Sequence, residues 1–166
     1  MLALSWLLSA AQTFGQSLEY PVKANYLVRF AAFVEWPQAA FGSPQAPLRI
    51  CVVGRDPFGR QLDQLAGAQV AHGRRMVVHR PDSQAALAGC HIAYAGAGVS
   101  AEWLDGMARQ PGLLLVTDGG ARRGCVHFVI VQNRVRFIID QAAGARSGLT
   151  ISSRLLSLGL QPGATR

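Results

Sequence analysis

The chain has 166 residues, half of them hydrophobic and 15% charged, which suits one globular domain with a sizeable core and excludes disorder, a collagen repeat and a solvated coiled coil. Its formal charge of +7 comes from 15 Arg and the single Lys23 set against nine acids, which permits attraction to polyanions or an anionic membrane surface without itself pointing to either. A nucleic-acid binder gathers its cations on one face or helix, whereas here only Arg74-Arg75 and Arg122-Arg123 are adjacent, and no nucleic-acid partner is expected.

Taken in chain order, residues 2–11 (LALSWLLSAA) form an apolar run of about the length of a secretory h-region and about half of what a bilayer span needs. Residues 1–15 are expected to be a secretory leader, cleaved near residue 11 or near residue 15, where small residues precede Gln12 and Gln16. A first helix packed on the domain is the alternative. Residues 21–36 place Val22, Tyr26, Phe30 and Phe33 at helical spacing, with Pro37 as the stop. A loop follows at 38–47, a strand at 48–53, a short helix at 58–66, a strand at 76–79 and one or two helical turns at 83–88. The pattern then gives a strand at 90–95, a helix at 100–110 with Ser100 as N-cap, and a strand at 112–118.

Near-continuous apolar strands alternating with helices predict an α/β, three-layer sandwich with a mainly parallel sheet covered on both faces. VHFVIV and RVRFIID flank Gln132-Asn133 and predict a C-terminal antiparallel hairpin, with Val135, Phe137 and Ile139 on one face and Arg134 and Arg136 on the other. Residues 144–159 read as one last helix, interrupted by Gly148.

Chemistry-bearing patterns are sparse. The three cysteines, Cys51, Cys90 and Cys125, form no C-x-x-C pair, which removes the local signature of zinc ribbons and redox centres. Cys51 and Cys90 stand in or beside strands that could be neighbours, so they could be bridged in an oxidising compartment; all three being buried hydrophobes is the other reading. Cys125 is then left buried or free to cross-link two chains. Gly96-Ala97-Gly98 lies between a strand and a helix but has Ala101 where a third glycine is needed, and Gly54–Gly59 fits neither phosphate-loop spacing. Cys90 and His91 are neighbours on a strand and so point to opposite faces, unable to act as a nucleophile and its base. His72, His79 and His127 have no local metal spacing, and Asp118 ends a strand where α/β enzymes place acids, with an Asx turn as its ordinary role. No catalytic residue, metal or cofactor is expected. Trp36, Phe41, Phe58 and Trp103 stand at loop edges as candidate partner-surface anchors.

The blocks VKANYLVRFAAFVEWP, LRICVVGRDPFG, LAGCHIAY and RVRFIIDQAAGARSGLTISSRLLSL, spread over residues 21–160, resemble the YfiR/HmsC-like periplasmic proteins. That resemblance implies an exported α/β domain over 18–161, a disulfide between Cys51 and Cys90, and no second bridge, because no cysteine follows Cys125. It implies a non-enzymatic repressor that binds the periplasmic domain of an inner-membrane diguanylate cyclase and so restrains cyclic-di-GMP signalling and biofilm formation. An outer-membrane lipoprotein that removes the repressor is a further implied partner, and a homodimer is expected. Its partner surfaces would combine the first helix, the loop aromatics and exposed arginines. The alternative is a periplasmic module for a small ligand, a nucleotide or amino acid, held at the carboxyl edge of the sheet.

Overall fold

The computed structural model describes residues 10–119 and 123–161. Helix α1 (Ala10–Phe30) leads through a 3-10 turn into β1 (Val34–Glu35), and then come β2 (Leu48–Val53), α2 (Arg60–Gly67), β3 (Val70–Ala71) and β4 (Arg74–His79). After a 3-10 turn follow β5 (Ile92–Ala95), α3 (Ala101–Ala108), β6 (Leu114–Asp118), β7 (Val126–Val131), β8 (Arg134–Ile139), α4 (Gln141–Arg146), β9 (Thr150–Ile151) and α5 (Ser153–Leu158). Most of the expected leader, residues 1–9, lies outside the described residues, and 10–15 are the opening of α1. Among the described residues no helix is long and apolar enough to cross a membrane.

Seven strands form one sheet in the order β3-β4-β2-β5-β6-β7-β8, parallel from β4 through β7 and antiparallel at both ends. Side chains alternate between its faces, and each face carries its own core. Ile50, Val52, Ile92, Tyr94, Val116 and Phe128 meet α1 and α2 on one side, while Cys51, Val53, Ala93, Leu115, Leu104 and Met107 form the second core, under α3. That is the three-layer α/β arrangement with helices on both faces. The additional strand β3 joins β4 through His72–Gly73, whose φ values of 52° and 72° fit a tight hairpin turn.

Two expected helices have different bounds. The one expected over 21–36 begins earlier and ends at Phe30, and Val34 and Glu35 leave it to pair with Ile151 and Thr150. The β-branched Val34 and the pre-proline Trp36 disfavour helical backbone there, and His72 Nε2–H donates to the carbonyls of Ala31 and Val34 at 2.8 and 2.9 Å. The helix expected over 144–159 is split into α4 and α5. Asp140 caps α4 by accepting from Ala143 N at 2.9 Å, Ser152 caps α5 by accepting from Leu155 N at 3.2 Å, and Gly148, at φ +75°, takes the left-handed turn between them.

Candidate functional site

The strand order reverses between β2 and β5, and in open α/β sheets the crevice at such a point is where ligands bind. Here it is shut by backbone on backbone. Gly96 N donates to Val53 O at 2.8 Å and Arg55 N to Ala97 O at 3.0 Å, tying the loop after β2 to the loop after β5. A Cβ on Gly96 would lie 2.3 Å from Arg55 O, and one on Gly54, which is at φ +79°, would lie 2.8 Å from Ala97 O. Gly54 and Gly96, whose segments miss the phosphate-loop spacings, therefore serve close approach of two chain segments.

The same edge is plugged on its α1 face by a charged cluster. Lys23, 1% exposed, donates from Nζ to both oxygens of Asp118 at 2.8 and 2.7 Å and also to Glu19. Tyr94 OH donates to Asp118 Oδ2 at 2.7 Å, and the Lys23 ammonium lies 5.2 Å from the Tyr20 ring centroid and 5.8 Å from that of Phe128. Burial, with the Asp118 carboxylate beside it, raises the Tyr94 phenol well above its ordinary range. Asp118 makes these tertiary contacts, while Gly120, the backbone partner of the expected Asx turn, lies outside the described residues. Both its oxygens are engaged, so the cluster can pin α1 to the ends of β5 and β6, and it presents no free base.

Cys51 and Cys90 are joined in a disulfide with a Cα–Cα distance of 6.0 Å, inside the core beneath α3. Cys125 is buried on the other side, and burial pushes its thiol up to about 11, so it is protonated at neutral pH and out of reach of a second chain. The strand expected over 90–95 begins at Ile92, so Cys90 and His91 precede it, and the His91 ring packs with Trp36 and Phe41 while the disulfide lies in the core under α3. His91 Nδ1 accepts from Arg49 N at 3.0 Å, so the proton sits on Nε2, which donates to Ala40 O at 3.0 Å. Burial, helped by Arg49 and Arg74, holds the imidazole below its usual range. The Phe41 ring stacks on it at 4.3 Å, and Trp36 Nε1 donates to the His91 carbonyl at 3.2 Å. The Cys-His and Phe-Val-Glu-Trp-Pro motifs thus meet in space, and their joint work is to fasten residues 36–41 across the start of β5.

These contacts sort the four aromatic candidates. Phe58 is a correction: it is 5% exposed, packed edge-on against Tyr94 and Tyr20, and offers no surface. Trp36 and Phe41 are half-buried in the His91 assembly, with the Arg74 guanidinium 3.7 Å from the Phe41 centroid. Trp103 is half-buried against the second core, and its indole N–H has no hydrogen-bond partner among the described residues. Among the described residues, the large apolar side chains that do reach solvent are Leu18, Val22, Val70, Ile130 and Leu158, with Tyr20 at the margin. The first two lie on the outward stripe of α1.

Two further groups escaped the sequence. Arg80 hooks the loop after β2, donating to Asp56 Oδ2 and Asp63 Oδ2 at 2.7 Å each and to Gly59 O at 2.9 Å. Burial alone would raise the Asp56 carboxyl, but Arg80 and the N–H groups of Phe58 and Gly59 outweigh it and hold it below its usual range; Arg80 lowers Asp63 in the same way. An open cleft of about 570 Å³ lies between the end of β8 and α5, lined by His127, Ile138, Asp140, Leu156 and Leu160 among others. Behind the lining, the His127 Nδ1 lies 2.6 Å from the buried Thr117 Oγ1. Among the described residues no three His, Cys, Asp or Glu side chains gather in a way that could hold a metal ion.

No curated protein matches the chain. The family model described as YfiR/HmsC-like matches residues 20–159, a span that takes in every strand, the disulfide, the His91 assembly and the Lys23–Asp118 pair. The chain belongs to the YfiR/HmsC-like family.

Proposed function

We propose that the protein is a periplasmic regulatory binding protein that represses an inner-membrane diguanylate cyclase, and so restrains cyclic-di-GMP signalling and biofilm formation. The observation that carries this reading is the family match over residues 20–159. The Cys51–Cys90 bridge agrees with it, since disulfides persist in oxidising compartments such as the periplasm. The closed edge between β2 and β5 agrees too, because it fills the place where a small-ligand module or an enzyme of this architecture would hold its ligand.

Repression of this kind is a population shift: the protein binds the inactive state of the cyclase's periplasmic domain more tightly than the active one. A homodimer, and an outer-membrane lipoprotein that competes for the repressor, complete the proposed system. The mature chain, immobilised and exposed to detergent-solubilised envelope, should retain a membrane protein carrying a diguanylate cyclase domain. Retention of no such protein, together with specific retention of a small metabolite, would replace this reading with that of a ligand-binding module.

A further inference from the structure

β8 ends the large sheet, and its outer edge is only partly covered. The turn before it, Gln132–Asn133, has φ values of 50° and 59°, which makes Val131 and Arg134 a hydrogen-bonded pair across the hairpin. Alternation along an antiparallel ladder then directs the N–H and C=O of Val135 and Phe137 away from β7. The Phe137 carbonyl is satisfied, accepting from Leu160 N at 2.8 Å where the chain beyond α5 runs parallel to β8 at Ile138. Upstream of that contact no described strand pairs with the outer edge of β8, so the Val135 N–H and C=O face outward from the sheet.

The side chains around this gap are polarised. Arg134 and Arg136 are both exposed on one face, and neither has an acidic partner among the described residues. On the other face Val135 is paired with Ile130, which is 50% exposed.

We propose that this edge receives an extended acidic segment of a partner protein, added as a further strand. Acidic side chains two residues apart would lie against Arg134 and Arg136, and an apolar one between them would lie beside Val135. The arginine row also excludes the obvious competitor. Two copies meeting edge to edge would set Arg134 against Arg136, a like-charge contact that disfavours self-pairing and leaves carboxylates as the matching chemistry. This inference stands apart from the cyclase reading and holds or falls without it.

The test is an amide NMR titration of the isotope-labelled protein with a capped heptapeptide in which glutamate and valine alternate. The expected result is a set of shifts centred on β8 and, at saturation, hydrogen exchange at the Val135 amide slowed by about tenfold or more. The double variant Arg134→Glu, Arg136→Glu should weaken binding about tenfold or more, and its unchanged hairpin signals would exclude misfolding. The same peptide N-methylated at the residues facing β8 should lose binding. Equal binding of the methylated peptide, shifts centred elsewhere, or no shifts at millimolar peptide would each overturn the proposal.

Discussion

The ammonium of Lys23, the chain's single lysine, lies 2.8 and 2.7 Å from the two carboxylate oxygens of Asp118, joining α1 to the last residue of β6 across 95 positions of sequence. Taking two charges out of water is costly, and the pair persists because Glu19 and Tyr94 supply the remaining hydrogen bonds. Losing Asp118 leaves the buried Lys23 with Glu19 as its remaining carboxylate. Asp118→Asn should destabilise the fold by about 3 kcal/mol, the low end for breaking a buried pair. A double-mutant cycle with Lys23→Met should return a coupling above about 1 kcal/mol in urea unfolding, and additive effects would mean that the ion pair is not a unit.

The bridge between Cys51 and Cys90 closes a loop of 39 residues. In the chain-entropy model a loop of that length is worth about 4 kcal/mol through the denatured state. Cys51→Ala and Cys90→Ala should each lower the denaturation midpoint substantially and by similar amounts, and a reductant should lower the wild-type midpoint without touching either variant. Cys125→Ala should leave non-reducing gel mobility unchanged.

His91 makes stability depend on pH with a defined sign. Its imidazole accepts a hydrogen bond at Nδ1 and is held below its ordinary value by burial, so the folded protein resists the second proton. Above about pH 6.5 the ring is neutral in both states and contributes no dependence. Below that the unfolded chain binds a proton that the folded one does not, and stability falls as the solution is acidified until the folded value is passed. Unfolding free energies measured from pH 7.5 to 5 should decline in the wild type and decline less steeply in His91→Phe.

Gly96→Ala should be among the most damaging single-methyl additions in the chain, because its Cβ would be set 2.3 Å from a backbone oxygen that cannot swing away. Gly42→Ala meets nothing within 4 Å and serves as the control. Thermal denaturation should show a large fall for the first and almost none for the second.

The parallel sheet was legible because buried strands on both faces are written as continuous apolar runs, and LRICVV, IAYA and LLLV leave little else to read. The β7–β8 hairpin was legible from alternation around Gln132-Asn133. The ends of the first and last helices were not, since what stops them is tertiary: a carbonyl clasp by His72 from 38 to 41 residues away, and pairing of Val34 with Ile151. Phe58 was misplaced for the same reason, as a loop aromatic whose destination between Tyr20 and Tyr94 depends on how α1 lies on the sheet. The one available hint of the buried cluster was compositional, a lone lysine among 15 arginines. An ammonium is compact enough to fit both oxygens of one carboxylate in a closed space, where a guanidinium fork would need more room.

Repression of a cyclase is tested most directly by cellular cyclic-di-GMP in a strain lacking this gene. The level should rise above that of the parent and return when the gene is restored in trans. An unchanged level in the deletion strain would contradict the account.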